Sequence, residues 1–540
     1  MKKILLLILY SSFLIFNSHA QVPNWLWANG AGGTGNDQSF SISADAGGNV
    51  YVTGYFYSSS ITFGSTVLTN AGLNDIFLAK YDGAGNVLWA RSAGGPGYES
   101  GNAVSTDVNG SVFATGYFES PSIIFGSDTL SNTGLRDIFI VKYDSSGNVM
   151  WTRSASGTST EAGICIAADA GGNVFVSGYF WSQQIIFGSV TLTNSNTTYT
   201  DIFTAKYDGT GNVLWAKRGA TSESDNPTGI CTDANGNAYL TGRFSSSISF
   251  GTITLMRSGI FIVKYDGAGN VNWARDAAGT SAGNGICTDA GGNLFVTGYF
   301  SGVLTFDTIP AIVSSGSTND IFAAKFSSAG NALWAKRSGQ NGYESGSGIT
   351  ADANGDAYVT GTFYGSQISL GTTTLPNSGG NEIFIAKYDG AAGNVLWAKG
   401  AGGIVDDYCT SICSDASGNI FITGRFNSPV ISFGSITLAD AGTSNNIFTA
   451  KLDNIIGIEE NNNSTDGTTM FPNPCSNKLS VNIFSGKGEI NIYNTLGEKV
   501  LETEITNTKS GIDIRSLPAG IYFVKVFAGE KMAVMKVVKM

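Results

Sequence analysis

The stretch ADAGGNVYVTGYF, from Ala44 to Phe56, returns almost unchanged as ADAGGNVFVSGYF, from Ala168 to Phe180. A short run of Val, Tyr, Phe and Thr that follows a turn of Asp, Gly and Asn is typical of a β-strand after a hairpin turn. Repetition of such a unit at a fixed period predicts a repeat architecture. The period and the number of strands in each copy therefore determine the predicted fold.

Tryptophan marks the period. Each interval between successive repeat tryptophans carries the same apolar phrases in the same order, separated by Gly, Asp and Asn turns. Four antiparallel strands per unit, repeated radially, predict an all-β protein with a seven-bladed β-propeller. At this regular position we expect tryptophan to pack between blades rather than to bind sugar. The repeat tryptophans are Trp27, Trp89, Trp151, Trp215, Trp273, Trp334 and Trp397, and successive members are 62, 62, 64, 58, 61 and 63 residues apart.

The first tryptophan phrase is displaced from its repeat. NWLWA, from Asn24 to Ala28, precedes every other phrase, and no tryptophan follows the last FxxK phrase at Lys451. We predict that the Trp27 strand completes the last blade and closes the propeller, which leaves no free sheet edge. A stacked solenoid, the main alternative, would require distinct capping repeats.

Residues 1–20 have the features of a secretory signal peptide: two lysines, an apolar run from Ile4 to Phe16, and Ser18-His19-Ala20 before the cleavage point. The apolar run is shorter than the roughly 20 residues that cross a bilayer, so we expect a mature chain from Gln21 rather than a permanent anchor. Cleavage removes two lysines and changes the formal net charge from −11 to −13. It also removes the one histidine, which excludes histidine-dependent catalysis and His-ligated zinc. A nucleic-acid partner is not expected at this charge.

Residues 24–453 resemble the bacterial propeller repeats called SBBP, whose copies share an AVD..GNVYVTG phrase followed by D.FVAKYD..G...W. The resemblance extends over all seven copies. It implies the propeller fold for residues 21–453, expected as a monomer, and implies little about activity because propellers support unrelated functions.

The repeat pattern stops after Leu452. Residues 454–470 are polar and predict a linker, and the alternating strands of residues 471–540 predict a small Ig-like β-sandwich. Within it, FPNP, YNTLG, LPAGIY and KVVK occur in an order that resembles the type A (Por-type) C-terminal sorting domain of the Bacteroidetes type IX secretion system. The resemblance implies passage through the periplasm, recognition of residues 471–540 by the type IX secretion machinery, and delivery to the outer cell surface or the medium.

An acid lies ten residues after six of the seven repeat tryptophans, where we expect the loop that leads into the innermost strand. Each acid could cap its own loop by accepting backbone N–H bonds. Alternatively, the carboxylates could together bind a hard cation such as calcium, and no other cofactor is expected. The candidate metal ligands are Asp37, Glu99, Glu161, Asp225, Glu344 and Asp407.

The residue after each TG phrase varies in kind while its neighbours do not, which is typical of a binding surface. We predict a secreted or cell-surface binding protein whose ligand is a polysaccharide or another protein. The alternative is a carbohydrate-active enzyme with paired carboxylates, which needs neither His nor Cys. Near-identical repeats favour binding, since a catalytic pair usually breaks the symmetry of one or two blades. The predicted ligand-binding face consists of Tyr55, Tyr117, Tyr179, Arg243, Tyr299 and Arg425.

Overall fold

The computed structural model divides into two compact units, one of which is Val22–Asn454, while the other contains Ile455–Met540. The predicted signal peptide and residues 454–468 of the predicted linker lie outside the described residues. Throughout the described part of the chain no helix is long and apolar enough to cross a membrane. The structure describes residues 22–194, 196–221, 223, 225–307, 309–316, 318–340, 342–440, 444–453, 469–472, 475–483, 487–494, 499–528 and 531–539.

All the regular elements described are β-strands, and those of the first unit follow the repeats. The strand before the first repeat is β1 (Trp25–Ala31). The first repeat contains β2 (Asp37–Ala44), β3 (Val50–Phe56), β4 (Ser60–Phe63), β5 (Thr66–Thr69), β6 (Asp75–Tyr81) and β7 (Val87–Ala93). The second contains β8 (Glu99–Thr106), β9 (Val112–Phe118), β10 (Ser122–Phe125), β11 (Asp128–Ser131), β12 (Asp137–Tyr143) and β13 (Val149–Ala155). The third contains β14 (Glu161–Ala168), β15 (Val174–Phe180), β16 (Gln184–Phe187), β17 (Val190–Thr193), β18 (Asp201–Tyr207) and β19 (Val213–Thr221).

The remaining repeats follow the same plan. The fourth contains β20 (Asn226–Thr232), β21 (Ala238–Phe244), β22 (Ile248–Phe250), β23 (Ile253–Leu255), β24 (Gly259–Tyr265) and β25 (Val271–Asp276). The fifth contains β26 (Ala278–Thr288), β27 (Leu294–Thr305), β28 (Ile312–Val313), β29 (Asp320–Phe326) and β30 (Ala332–Ser338). The sixth contains β31 (Glu344–Ala351), β32 (Ala357–Phe363), β33 (Gln367–Leu370), β34 (Thr373–Pro376), β35 (Glu382–Tyr388) and β36 (Val395–Ala401). The seventh contains β37 (Asp407–Ser414), β38 (Ile420–Phe426), β39 (Val430–Phe433), β40 (Ile436–Ala439) and β41 (Asn446–Leu452).

In each of the first six repeats, the first two and the last two long strands form one antiparallel sheet. The N-terminal strand β1 joins the sheet of the last repeat, where it pairs with β41 and places Trp27 opposite Lys451. This is the pairing that the displaced first tryptophan phrase predicts. In the third sheet β19 also pairs with β22 of the fourth repeat, and in the fifth sheet β27 also pairs with β28. The long strands are ordered β2-β3-β6-β7, β8-β9-β12-β13, β14-β15-β18-β19, β20-β21-β24-β25, β26-β27-β29-β30, β31-β32-β35-β36 and β37-β38-β41-β1.

The DAGGN and related phrases are hairpin turns, as the sequence predicts. In the first copy, Asp45 Oδ1 accepts hydrogen bonds from the backbone N–H groups of Gly47 and Asn49, each at 2.9 Å. Gly48 has φ of 77°, a left-handed conformation in which glycine is favoured because it has no Cβ. The aspartate therefore stabilises its own turn.

The first strand of each sheet, called here the inner strand, carries a β-bulge at the same place. Together with the two residues that follow it, the bulged residue of every inner strand lines a cavity of about 210 Å³. Polar bulged residues connect neighbouring inner strands: Asn102 Nδ2 donates to Gly163 O at 2.8 Å, and Thr410 Oγ1 donates to Ser39 O at 3.0 Å. The bulged residues are Phe40, Asn102, Ile164, Thr228, Asn284, Ser347 and Thr410.

The repeat tryptophans pack between neighbouring sheets, which confirms the prediction of a structural role. Trp89 Nε1 and Lys80 Nζ, both from the first sheet, donate to the same backbone oxygen of the second sheet, Ser145 O, at 3.2 and 2.9 Å. The Lys80 ammonium also lies 5.1 Å from the centre of the Tyr51 ring. Such a shared acceptor links most neighbouring pairs of sheets. The acceptor residues are Gly83, Ser145, Gly209, Gly267, Ser328 and Gly390.

The second unit contains two sheets that share one hydrophobic core. Its described strands are ordered β42-β43-β46 and β45-β44-β47-β48. Leu479 and Val481 of the first sheet pack in one buried cluster with Ile490, Ile492 and Val524 of the second. The strands are β42 (Thr469–Phe471), β43 (Lys478–Asn482), β44 (Gly488–Tyr493), β45 (Lys499–Ile505), β46 (Lys509–Asp513), β47 (Gly520–Ala528) and β48 (Lys531–Lys539).

Candidate functional site

The predicted binding-face residues occupy one equivalent position in the second strand of each sheet, immediately before a buried phenylalanine. In each of these six copies this position pairs with a residue in the first half of the inner strand; Tyr55, for example, lies opposite Gln38. Arg243 is exposed, whereas the other five residues are half-buried. The predicted residues therefore lie at one end of the strands in successive sheets.

A cluster of aromatic and charged side chains forms around the first two tyrosines of this face. The guanidinium carbon of Arg136 lies 3.8 Å from the centre of the Tyr117 ring, and its Nη2 forms an ion pair with Glu119 Oε1 at 2.5 Å. Burial raises the pKa of Tyr117, and the charge of Arg136 opposes that rise. Tyr55 and Tyr117, which come from two repeats, line one pocket.

Arg425 extends the cluster on the other side of Tyr55. Its Nη1 donates to Gln38 Oε1 at 2.6 Å, and its guanidinium carbon lies 4.5 Å from the centre of the Tyr408 ring. Burial raises the pKa of Tyr55, and the nearby charge of Arg425 opposes that rise. Arg243 lies instead beside Asp225, whose pKa it lowers against a larger effect of burial.

A pocket of about 240 Å³ opens where the first and second sheets meet, and it includes residues that the sequence analysis missed. Its walls are Asn36, Tyr55, Tyr57, Asn74, Tyr98 and Tyr117. Asn74 is buried and donates from Nδ2 to Glu99 O at 2.7 Å, which holds the loop before Glu99 against the first sheet. Four tyrosine side chains and two amides, none of them charged, therefore converge on one cavity.

Further exposed aromatic side chains occupy the same two loop positions in other repeats. One position directly precedes the inner strand and the other directly follows the second strand, and their backbones are hydrogen-bonded, as between Tyr364 N and Tyr343 O at 3.0 Å. A sequence signal could have identified them: like the residue after each TG phrase, they vary in kind from repeat to repeat while their neighbours do not. The exposed fractions are Tyr57 49%, Tyr98 45%, Trp181 43%, Tyr343 64% and Tyr364 52%.

The six acids considered as metal ligands are all buried at the entry to the inner strands. In each of them at least one carboxylate oxygen accepts a hydrogen bond from a nearby loop. Asp37 Oδ1 accepts from the backbone N–H groups of Tyr57 and Ser58, at 3.0 and 3.1 Å. Its Oδ2 accepts from Gly33 N at 2.9 Å and from Ser58 Oγ at 2.7 Å. Asp37 therefore caps its own loop, as the first of the two alternatives, loop capping or cation binding, predicts.

A second buried acid from the preceding sheet lies beside five of these six. Burial raises the pKa of Glu161 to about 7, and the charge of Asp137 contributes to that rise. At the junction of the fifth and sixth sheets, Gly339 lies between the two carboxyl groups. A Cβ at this position would be 3.1 Å from both Asp320 Oδ1 and Glu344 Oε2, so the two acids are close to each other. The pairs, each joining two sheets, are Asp75 with Glu99, Asp137 with Glu161, Asp201 with Asp225, Asp320 with Glu344, and Glu382 with Asp407.

Two carboxyl groups per junction are fewer than a hard cation normally requires from a protein. Within the residues that the structure describes, no group of three or more His, Cys, Asp or Glu side chains is placed to hold a metal ion. The six candidate ligands lie apart in successive sheets. The calcium site stays a prediction.

Comparison with known proteins identifies the C-terminal part. Residues 469–540 match the family model described as "Secretion system C-terminal sorting domain". Among named proteins, the chain is 26% identical over 453 residues to the "Uncharacterized WD repeat-containing protein L264" of Acanthamoeba polyphaga mimivirus, a match that covers 68% of this chain and only 32% of the viral protein.

Two solved structures that match most of the chain share little sequence with it. The WD40 domain of Neurospora crassa Pan2 has a TM-score of 0.40 and 9% identity, and the match covers 80% of this chain and 98% of that domain. PorZ, described as an essential surface component of the type IX secretion system of Porphyromonas gingivalis, has a TM-score of 0.24 and 10% identity, with coverage of 93% and 81%.

Proposed function

We propose that this chain, which its C-terminal sorting domain directs through the type IX secretion system to the cell surface or the medium, is a polysaccharide-binding protein. In this proposal, the first unit is a closed seven-bladed β-propeller of the SBBP type. The second is an Ig-like sandwich that engages the secretion machinery. The ligand-binding surface is the end of the propeller that carries the variable tyrosines and arginines.

Three observations support the closed propeller. Seven antiparallel sheets, each with four long strands, follow one another along the chain, and the last is completed by β1. One cavity is lined by residues from all seven inner strands. The hydrogen bond from Thr410 Oγ1 to Ser39 O connects the inner strand of the last repeat with that of the first.

The observation that carries the proposed ligand class is the set of exposed aromatic side chains at equivalent loop positions. Tyr57, Tyr98, Trp181, Tyr343 and Tyr364 are each more than two-fifths exposed. The C–H faces of a sugar ring carry a small positive charge and stack on the negative face of an aromatic ring. Aromatic residues repeated around one surface suit a ligand that itself repeats, and a polysaccharide has that property.

Binding is favoured over hydrolysis by the position of the carboxylates. The paired acids that an enzyme would need are present at five sheet junctions, but all of them are buried. A glycosidase requires its two carboxyl groups on either side of the scissile bond. Acids enclosed by their own loops cannot contact a polysaccharide on the surface.

Affinity electrophoresis of the purified protein in gels that contain a glucan, a mannan, a xylan or polygalacturonic acid tests the proposal. We expect retardation in at least one gel, with no release of reducing ends over the same period. Release of reducing ends would favour the enzyme alternative. If no polysaccharide retards the protein and it instead binds a surface protein in a pull-down from the native host, the polysaccharide proposal is wrong.

A further inference from the structure

We infer that the pocket between the first two sheets, named here the tyrosine pocket, binds one uncharged sugar ring of the polysaccharide. The inference rests on the proposed function and adds to it the site and the chemical class of the bound unit. The pocket is formed by Asn36, Tyr55, Tyr57, Asn74, Tyr98 and Tyr117.

The size of the pocket limits what it accommodates. Its volume is about 240 Å³, below the roughly 300–1,000 Å³ of pockets that enclose drug-sized ligands. One six-membered ring with its hydroxyl groups is a ligand of that order, whereas an oligosaccharide must extend beyond the walls. The polysaccharide therefore places a single ring in the pocket and continues over the surface.

The chemistry of the walls selects for a neutral, hydroxyl-rich ligand. Tyr57 and Tyr98 are about half exposed and provide aromatic faces for the C–H groups of the sugar. Tyrosine hydroxyl and asparagine amide groups both donate and accept hydrogen bonds, as sugar hydroxyls do. The six residues that line the pocket are all uncharged.

The charges that surround the pocket are unsuited to a uronic acid. Arg136, which lies over Tyr117, is already paired with Glu119 at 2.5 Å. Asp37, Asp75 and Glu99 are buried next to lining residues, so any charge they carry repels an anion. Arg425, on the far side of Tyr55, donates to Gln38.

The walls are held in place by the backbone before any ligand arrives. Asn74 and Tyr98 form a parallel β-bridge, and Glu99 N donates to Asn74 O at 3.0 Å. Tyr57 N donates to Asn36 O at 3.1 Å. A site whose backbone is already ordered loses less conformational entropy on binding.

The test compares Tyr57→Ala and Tyr98→Ala with controls on the last strands of the same two sheets. Leu88 in β7 and Met150 in β13 are 51% and 56% exposed and belong to no part of the proposed binding surface, so Leu88→Ala and Met150→Ala remove exposed apolar side chains without touching the pocket. Dissociation constants are measured for a neutral polysaccharide that retards the wild-type protein. We expect each pocket variant to bind about tenfold more weakly or worse, and each control to change by less than about threefold.

A second measurement identifies the bound unit. The neutral monosaccharide from which that polysaccharide is built should inhibit binding of the polysaccharide to the wild-type protein but not to Tyr98→Ala. The corresponding uronic acid should not inhibit binding to the wild-type protein. If the wild-type protein binds the polysaccharide and the pocket variants bind equally well, the pocket assignment is wrong although the proposed function stands. If the wild-type protein binds only acidic polysaccharides, the uncharged class is wrong. If it binds none, the proposed function itself fails.

Discussion

At the scale of single residues, the repeat tryptophans join one sheet to the next. Trp273 is 7% exposed, and its Nε1 donates to Ser328 O in the following sheet at 3.2 Å. A Cβ placed on Gly330 would lie 2.7 Å from the indole, so the following turn is in close contact with the ring. The neighbouring Tyr239 ring centre is 6.0 Å away. This side chain therefore contacts two sheets at once.

Replacing Trp273 with Ala should lower the free energy of unfolding by about 3 to 5 kcal/mol, because it leaves a cavity and removes the hydrogen bond to Ser328. The matched control is Trp181→Ala, which removes a tryptophan that is 43% exposed and should cost about 1 kcal/mol or less. Chemical denaturation followed by tryptophan fluorescence measures both. A Trp273→Ala midpoint equal to that of the wild-type protein would show that the side chain is not a packing residue.

At the scale of elements, the first strand stabilises the last repeat. β1 pairs with β41 along its length, and Trp25 packs edge-on against Phe433 with ring centres 5.0 Å apart. From the same segment, Trp27 Nε1 donates to Gly83 O of the first repeat at 3.2 Å, and Pro23 O accepts from Lys399 of the sixth at 2.8 Å. This one segment contacts three repeats.

Deletion of residues 21–28 should therefore lower the melting temperature by several degrees or more, because it exposes the edge of β41 and removes two buried or half-buried tryptophans. Differential scanning calorimetry measures the change. A synthetic peptide of residues 22–31, added in excess, should raise the melting temperature of the truncated protein again. A truncated protein that melts like the parent, with or without the peptide, would contradict the role assigned to β1.

Elements were predictable from the sequence wherever the signal is local. The strand from Val50 to Phe56 follows a turn whose Asp, Gly and Asn chemistry is complete within five residues, so periodicity and turn residues identify both. The sequence analysis did not identify the hairpin β10–β11, most of which is formed by the phrase IIFGSDTL (Ile123–Leu130) with a turn at Gly126 that has φ of 61°. Four-residue strands carry too little alternation to identify a hairpin from sequence.

The candidate site was less predictable because its parts are not local. The sequence pattern identified Tyr55 and Tyr117 as variable residues, but the tyrosine pocket also needs Tyr57, Tyr98 and Asn74, which come from three other loop positions of two sheets. The acids at the inner strands were located correctly along the chain. Their burial was not predicted, because it results from hydrogen bonds with loops about twenty residues away, such as those from Ser58 to Asp37.

At the scale of the whole molecule, buried acids make stability depend on pH in an unusual direction. Burial raises the pKa of Glu161, Asp225 and Glu344 to about 7 and those of Asp75 and Asp407 to about 6. Between the unfolded pKa, near 4, and these values, the folded state holds protons that the unfolded state has lost. The stability contribution is complete below about pH 4 and is lost as pH rises through 6 to 7.

We expect the melting temperature of the wild-type protein to fall as pH rises from 5 to 8, and Glu161→Gln to reduce this slope and to be more stable than the wild-type protein at pH 8. The change at Glu161 corresponds to at most about 3 kcal/mol. Asp208→Asn is the control, because the pKa of Asp208 is lowered to about 2 by hydrogen bonds within its exposed turn, so it titrates below this pH range. Equal slopes for the wild-type protein and Glu161→Gln would contradict the prediction.

The meeting of β1 and β41 places the two ends of the first unit side by side. Asp453 N donates to Asn24 O at 2.9 Å, so the first and last residues of this unit are in direct backbone contact. A short covalent link between these ends, together with a cut in the loop between β13 and β14, would give a circularly permuted chain in which every sheet keeps its strands. We expect such a chain to form the same strand pairs with its ends in another repeat.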